Sequence, residues 1–232
     1  MNQTKEAILY FARTVKAEAK IKSLVGKGAM HRNQHILKSM NNYVLQLTKS
    51  TGIDIYHSNE NNQSGNSFGE KYCNAIQELF FKGYKRIVII GNDCISLLSH
   101  DILDAFKRLE KHDMVIGPTA KGGFYLMGIT PEAFFKDKLV NLPWQTADLL
   151  NALYQNIALL DIKPYIADSK DDLNNAEDLK KAILKVDCPT KLINVLLSLL
   201  QKNSPLEFRS KFYFQFPSYR SLFFRGPPPL YS

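Results

Sequence analysis

Cysteine is scarce in this 232-residue chain, which has three, and there is a single tryptophan. Cys73, Cys94 and Cys188 are odd in number, widely separated and without C-x-x-C spacing. That pattern excludes a disulfide framework and a structural zinc site, and suits free buried thiols in a reducing compartment. Long apolar runs are also missing. The stretch from Leu192 to Leu200 is broken by Asn194 and Ser198 and falls short of the roughly 20 residues that cross a bilayer. The early run Ile8 to Ala12 is too short for a signal-peptide core and follows Glu6, so the expectation is a cytoplasmic protein with no membrane span. Internal repeats and low-complexity linkers are absent before residue 203.

What remains is ordinary globular composition, 45% hydrophobic and 22% charged, in a chain long enough for one good-sized core. The formal net charge of +8 attracts anions, and nucleic acid, a membrane surface and the phosphates of a nucleotide all satisfy it. Lys16, Lys20, Lys22 and Lys27 can equally be read as solvated.

Short apolar runs alternate with amphipathic stretches. Strands are expected at 7–13, 53–57, 86–90, 114–117 and 124–128, and helices at 30–50, 68–82, through 111 after a Ser99 cap, 146–156 and 175–186. Arg86–Ile90 is the clearest strand, β-branched and apolar on both faces as a buried parallel strand requires. This alternation implies an α/β fold: a Rossmann-like open sheet, mixed but mainly parallel, with helices on both faces. Ligands of such sheets sit beyond the carboxyl ends of the strands, which is where Gly91-Asn92-Asp93 falls.

Three segments are candidates for chemistry. A carboxylate at Asp93 can coordinate Mg²⁺ or Mn²⁺, which favour one or two carboxylates with phosphates and water completing the shell; it can also simply cap the following turn. Gly122-Gly123 before an aromatic strand lets backbone approach a ligand closely, or forms an ordinary hairpin turn. Asn174 or Asn175 is a natural helix N-cap, a role compatible with ligand binding.

Taken in order, 64–70 (S-G-N-S-F-G-E), Ile89–Cys94, Gly117–Gly128, Leu142–Thr146 and Glu177–Leu179 resemble the DUF2064 family of glycosyltransferase-like proteins, related to nucleotide-diphospho-sugar transferases of the GT-A fold. The resemblance runs from about Ile8 to Leu179. It implies a nucleotide bound at the first crevice of the sheet, Asp93 as a metal ligand reaching the donor diphosphate, and Asn174 at the second metal position. It also implies Asn92 beside the nucleotide, Gly122 and Gly123 lining the donor or acceptor pocket, and Trp144 and Thr146 closing it. The N-terminal phosphate loop departs from the family pattern. Phe11-Ala12-Arg13 is kept, but Val15 replaces a proline, Glu18 a glycine, and Ile21–Leu24 stands where K-T-R-L is expected. Arg13, Lys20 and Lys22 remain able to meet phosphates. Lys121 replaces an acid before the two glycines, and Ile95 a proline after Asp93-Cys94.

His31 and His35 have zinc-protease spacing, but Arg32 stands where the catalytic glutamate should be, so they read as solvated. The expected activity is therefore a metal-dependent transferase using a nucleotide-activated donor and an unidentified acceptor, glycosyl transfer from a nucleotide sugar first, with Asp148 a candidate base that is more simply read as a favourable charge at its own helix N-terminus. The alternatives are nucleotidyl transfer on the same fold, or a non-catalytic binding protein whose phosphate loop has decayed. The domain should span residues 1–202. Residues 203–232, dense in aromatic and basic side chains, read as an irregular strap packed on the domain or pairing two copies in a homodimer. Aromatics that cover an apolar face explain that pattern more simply than nucleic-acid binding does.

Overall fold

The computed structural model describes residues 5–26, 28–184 and 190–201. Chain order begins β1 (Glu6–Phe11), α1 (Val15–Ile21), α2 (Met30–Lys49), β2 (Asp54–Ser58), α3 (Phe68–Phe81), β3 (Arg86–Ile90) and α4 (Ser99–Arg108). It continues with β4 (Met114–Pro118), β5 (Phe124–Ile129), a 3₁₀ turn (Pro131–Ala133), α5 (Lys136–Val140), α6 (Leu149–Leu159), β6 (Pro164–Ile166), α7 (Ala176–Ile183) and α8 (Thr190–Gln201). The 203–232 strap, Lys27 and Cys188 lie outside the described residues.

Among the described residues the strands form one sheet in the order β2-β1-β3-β5-β4-β6. β1 is parallel to β2 and β3, and β4 to β6, while β5 runs antiparallel to both β3 and β4. The sheet is thus mixed and mainly parallel, as expected. Its two faces follow from the period of two along a strand. Ala7, Leu9, Ile87 and Ile89 point to a core built with Tyr72 and Ile76 of α3 and Leu149 and Leu153 of α6. Ile8, Tyr10, Val88 and Ile90 point to the other core, against Val44 of α2 and Ile102 and Phe106 of α4. A third cluster joins α1, α2, α7 and α8 through Ala19, Ile36, Met40, Leu179 and Leu196.

The chain goes from β1 outward to β2, then returns past β1 to form β3 on its other side. Successive crossovers therefore depart in opposite directions at β1 and β3, and a crevice opens beyond their carboxyl ends.

Several boundaries differ from the sequence reading. α4 begins after Leu98, whose backbone N–H is received by the Asp101 carboxylate at 2.7 Å, so Ser99 is inside the helix and not its cap. It also ends at Arg108, short of Lys111. α6 begins at Leu149 because the preceding residues form a turn, in which the Thr146 hydroxyl donates to Pro143 O at 2.7 Å and Gln145 takes φ 65°. α1, α5, β6 and α8 have no counterpart in the sequence reading. No helix among the described residues is long and apolar enough to cross a membrane.

Candidate functional site

A cleft of about 780 Å³ lies at the carboxyl ends of β1 and β3. Arg13, Lys22, Asn92, Asp93, Gly123, Trp144, Thr146 and Asn174 all line it. The topology thus gathers eight of the eleven sequence-predicted residues in one place.

Its basic wall is built on α1. Thr14 caps the helix by accepting Ala17 N–H at 3.3 Å, and Glu18, one turn in, is only 7% exposed. Arg13 reaches Glu18 at 3.7 Å and Lys22 reaches it at 3.9 Å. Burial, reinforced by the charge of Asp93, raises the Glu18 pKa against the lowering effect of Lys22 and Arg13. Lys22 is 8% exposed, and its ammonium forms an ion pair and hydrogen bond with the Asp93 carboxylate. This corrects the solvated reading of Lys22. A lysine enters a protein interior only with an opposite charge beside it, and Asp93 is that charge.

Helix α2 braces both halves of this wall. Buried Asn33 donates to Lys22 O at 2.6 Å and accepts Leu24 N–H at 2.8 Å. Asn41 accepts from the Asn92 side-chain amide at 2.8 Å. On the far side, Leu173 N–H donates to Asp93 O at 2.9 Å, which ties the end of β3 to the segment before α7. Asn174 donates its amide to Asp172 at 3.0 Å, while Asn175 caps α7 by accepting Glu177 and Asp178 N–H. Lys121, unusual beside the two glycines, bonds Asp178 at 2.5 Å and pairs with Asp172 at 3.7 Å, joining the β4–β5 loop to α7.

The opposite wall is aromatic. Trp144 donates its indole N–H to Leu139 O at 2.8 Å, and its ring packs on Tyr72, Phe68 and Phe124 with centroids 4.7, 5.2 and 5.9 Å apart. Gly69 allows this approach, because a Cβ there would lie 2.2 Å from Val140 O and 2.7 Å from the indole nitrogen. Gly122 has φ +83° and packs on the Ala147 backbone, outside the cleft lining.

Three expected site residues are thus placed elsewhere. Gly122 shapes the loop and leaves the lining to Gly123. Lys20 is exposed on α1 and does not line the cleft, because the helix turns its side chain away from the face that carries Glu18. Asp148 is exposed at the N-cap position of α6, also outside the lining, where its charge favours the helix N-terminus. A second cavity of about 540 Å³, between α4 and β6, contains none of the candidate residues. In it Lys170 pairs with Asp101 at 3.0 Å.

Residues 56–146 match the DUF2064 family, "Uncharacterized protein conserved in bacteria". The match holds Asp93, Gly123, Trp144 and Thr146 and stops short of Arg13, Lys22 and Asn174, a narrower span than Ile8 to Leu179. No curated protein matches the sequence. Among solved structures, a protein from Desulfovibrio desulfuricans G20 described as a candidate nucleotide-diphospho-sugar transferase superposes with a TM-score of 0.73 at 17% identity, over 85% of this chain and 97% of that one. This likeness shows the fold. Two others are more distant: a cytidylyltransferase from Leptospira borgpetersenii (TM-score 0.45, 16% identity, 88% of this chain and 100% of that one), and a Mycobacterium tuberculosis H37Rv protein in complex with manganese (TM-score 0.45, 8% identity, 77% and 97%). At that distance neither bears on the chemistry of this chain.

The DUF2064 resemblance implies a divalent cation at Asp93, and the donor set here tests it. Mg²⁺ and Mn²⁺ want hard oxygens, commonly one or two carboxylates. Among the described residues no group of three or more His, Cys, Asp or Glu is arranged to hold a metal ion. The one carboxylate expected to do so already receives the Lys22 ammonium, and Asn174, whose amide nitrogen donates to Asp172, could add only a neutral oxygen. As arranged, these residues do not fit a divalent cation at Asp93.

Proposed function

We propose that the chain transfers a group from a nucleotide-activated donor to an acceptor, with the glycosyl group of a nucleotide sugar the best-fitting case. The observation that carries this reading is the pairing, within one crevice, of Arg13 and Lys22 with the aromatic wall around Trp144. The cations suit a diphosphate, and the crevice lies at the switch point where α/β sheets of this kind bind nucleotides.

In glycosyl transfer the bond between the sugar carbon and the diphosphate oxygen breaks, its electron pair leaves with the diphosphate, and the acceptor oxygen bonds to the carbon. Negative charge grows on the leaving group. Fixed cations in a partly desolvated cleft stabilise that charge more in the transition state than in the ground state. Gly123, Trp144 and Thr146 bound the space in which the transferred group and the acceptor are aligned. Asp148 takes no part in this reading, being outside the cleft. A divalent cation is not written into it either, since Lys22 already engages the Asp93 carboxylate.

Incubation with a panel of nucleotide sugars, followed by phosphorus NMR, tests the proposal. Release of nucleoside diphosphate is expected. Pyrophosphate release from a nucleoside triphosphate with a sugar phosphate would instead establish nucleotidyl transfer. Binding without turnover of either kind would mark a binding protein.

A further inference from the structure

We infer that Lys22, with Arg13, binds the donor diphosphate in place of a divalent metal, and that Asp93 serves to position the lysine. This inference rests on the nucleotide-donor reading above and deepens it.

The first support is where the lysine sits. Lys22 is the C-cap residue of α1, buried yet lining the cleft. A long flexible side chain gains nothing from such a place unless its charge is used there, since water would solvate the ammonium better. The second support is how firmly it is placed. Asn33 grips the backbone just after the side chain, at Lys22 O and Leu24 N, and the Asp93 carboxylate holds the ammonium itself, so it is in place before any anion arrives. The third is its remaining capacity. An ammonium has three N–H donors. Among the described residues Asp93 accepts one, and Glu18 at 3.9 Å is beyond hydrogen-bond distance. Donors remain for phosphate oxygens.

The same arrangement works against a metal. A divalent ion on Asp93 would have to bind the carboxylate that the ammonium contacts, placing two cations a few ångströms apart beside a lysine that is itself buried. Either the lysine or the metal neutralises the diphosphate at this position. The chain has made the choice by burying the lysine. Arg13, more exposed and able to offer two parallel donors, adds the second positive charge, so that two fixed unit charges supply what one divalent ion otherwise would.

Isothermal titration with ADP, GDP, CDP, UDP and inorganic pyrophosphate, each in EDTA and again in excess Mn²⁺, decides the matter. At least one diphosphate should bind with the same affinity in both conditions. Lys22→Gln should weaken binding in EDTA by about ten- to hundredfold, the worth of a hydrogen bond between charged groups, and Lys22→Arg should retain most of it. Asp93→Asn should weaken binding equally with and without Mn²⁺. Binding by the parent chain only in Mn²⁺ would overturn the inference and leave the donor reading intact. Binding in neither condition would overturn both. An unchanged affinity in Lys22→Gln would overturn the role of the lysine. The comparison of parent chain in EDTA and Mn²⁺ needs no variant, so a Lys22→Gln chain that fails to fold leaves the test in force.

Discussion

The carbonyl oxygen of Ala147 lies where a side chain on Gly122 would have to go: a Cβ built on that glycine would be 1.9 Å from it. The two backbones are held together by Leu150 N–H donating to Gly122 O at 2.9 Å, so neither can retreat alone. Gly122→Ala combines this clash with a positive φ that costs an L-residue about 1–2 kcal/mol by itself. A loss of at least about 2 kcal/mol is expected, lowering the melting temperature by about 5 °C or more. Thermal unfolding followed by circular dichroism measures it. An unchanged midpoint would mean that the β4–β5 loop and the Ala147 turn are not in contact.

Trp144 is the only tryptophan and stands in the cleft, so its emission is a built-in reporter. A bound nucleoside diphosphate should change its intensity or maximum, with a saturable dependence on concentration. Trp144→Phe keeps an aromatic ring but leaves Leu139 O without its indole donor, and should lose about 1 kcal/mol of stability. A ligand that binds by calorimetry without altering the emission would lie away from the aromatic wall.

Asp148→Ala should leave turnover within twofold of the parent, because the carboxylate is outside the cleft. Its stability effect should be about 0.5 kcal/mol or less, as expected for an exposed position near a helix N-terminus. Steady-state kinetics on the substrate found active is the check. A fall of a hundredfold or more in kcat with the fold intact would restore Asp148 as a base.

Glu18 gives the site a pH signature. Burial raises its pKa above the ordinary carboxylate value, so the folded chain holds this proton more tightly than the unfolded one. Its contribution to stability is full below the unfolded pKa of about 4.3 and is lost as pH rises through the higher folded value. Glu18→Gln removes that titration. Denaturant unfolding of parent and variant between pH 4 and 7 should show the stability of the parent relative to the variant falling with rising pH. A difference that grows with pH would mean that Arg13 and Lys22 outweigh the burial.

How much of this was open to reading in the chain depends on whether the cause was local. Arg86–Ile90 was placed residue for residue, because an apolar β-branched run between turn residues allows few other structures. Asp93 at the end of that strand came with it. Helix α1 was not seen, because Val15–Ile21 alternates apolar and charged residues with no clear helical face. It is held by the Thr14 cap and by Glu18 turned inward. The burial of Lys22 could not be read at all, since its partner Asp93 is 71 residues away and no local pattern distinguishes a buried lysine from a solvated one. β6 was hidden by its length, three residues beginning with Pro164. The signal nearest to the missed feature was the segment after β1 itself: a lysine two residues after another, with an acid four residues before it.

The reversed direction of β5 has a consequence for how the crevice comes into being. β4 and β5 pair as a hairpin, Pro118 opposite Phe124, and such local contacts close quickly because little chain entropy is lost. The β1–β3 pairing, Ile8 opposite Val88, must wait for three helices and a strand to be gathered between them. Gly123 therefore belongs to an early-forming unit, while Lys22, which shares Glu18 with Arg13, meets Asp93 only when the long-range pairing is complete. A diphosphate that bridges those cations would bind the finished state and little before it. It should therefore slow unfolding while leaving the refolding rate nearly unchanged, so that occupancy acts as a latch on the last step of assembly.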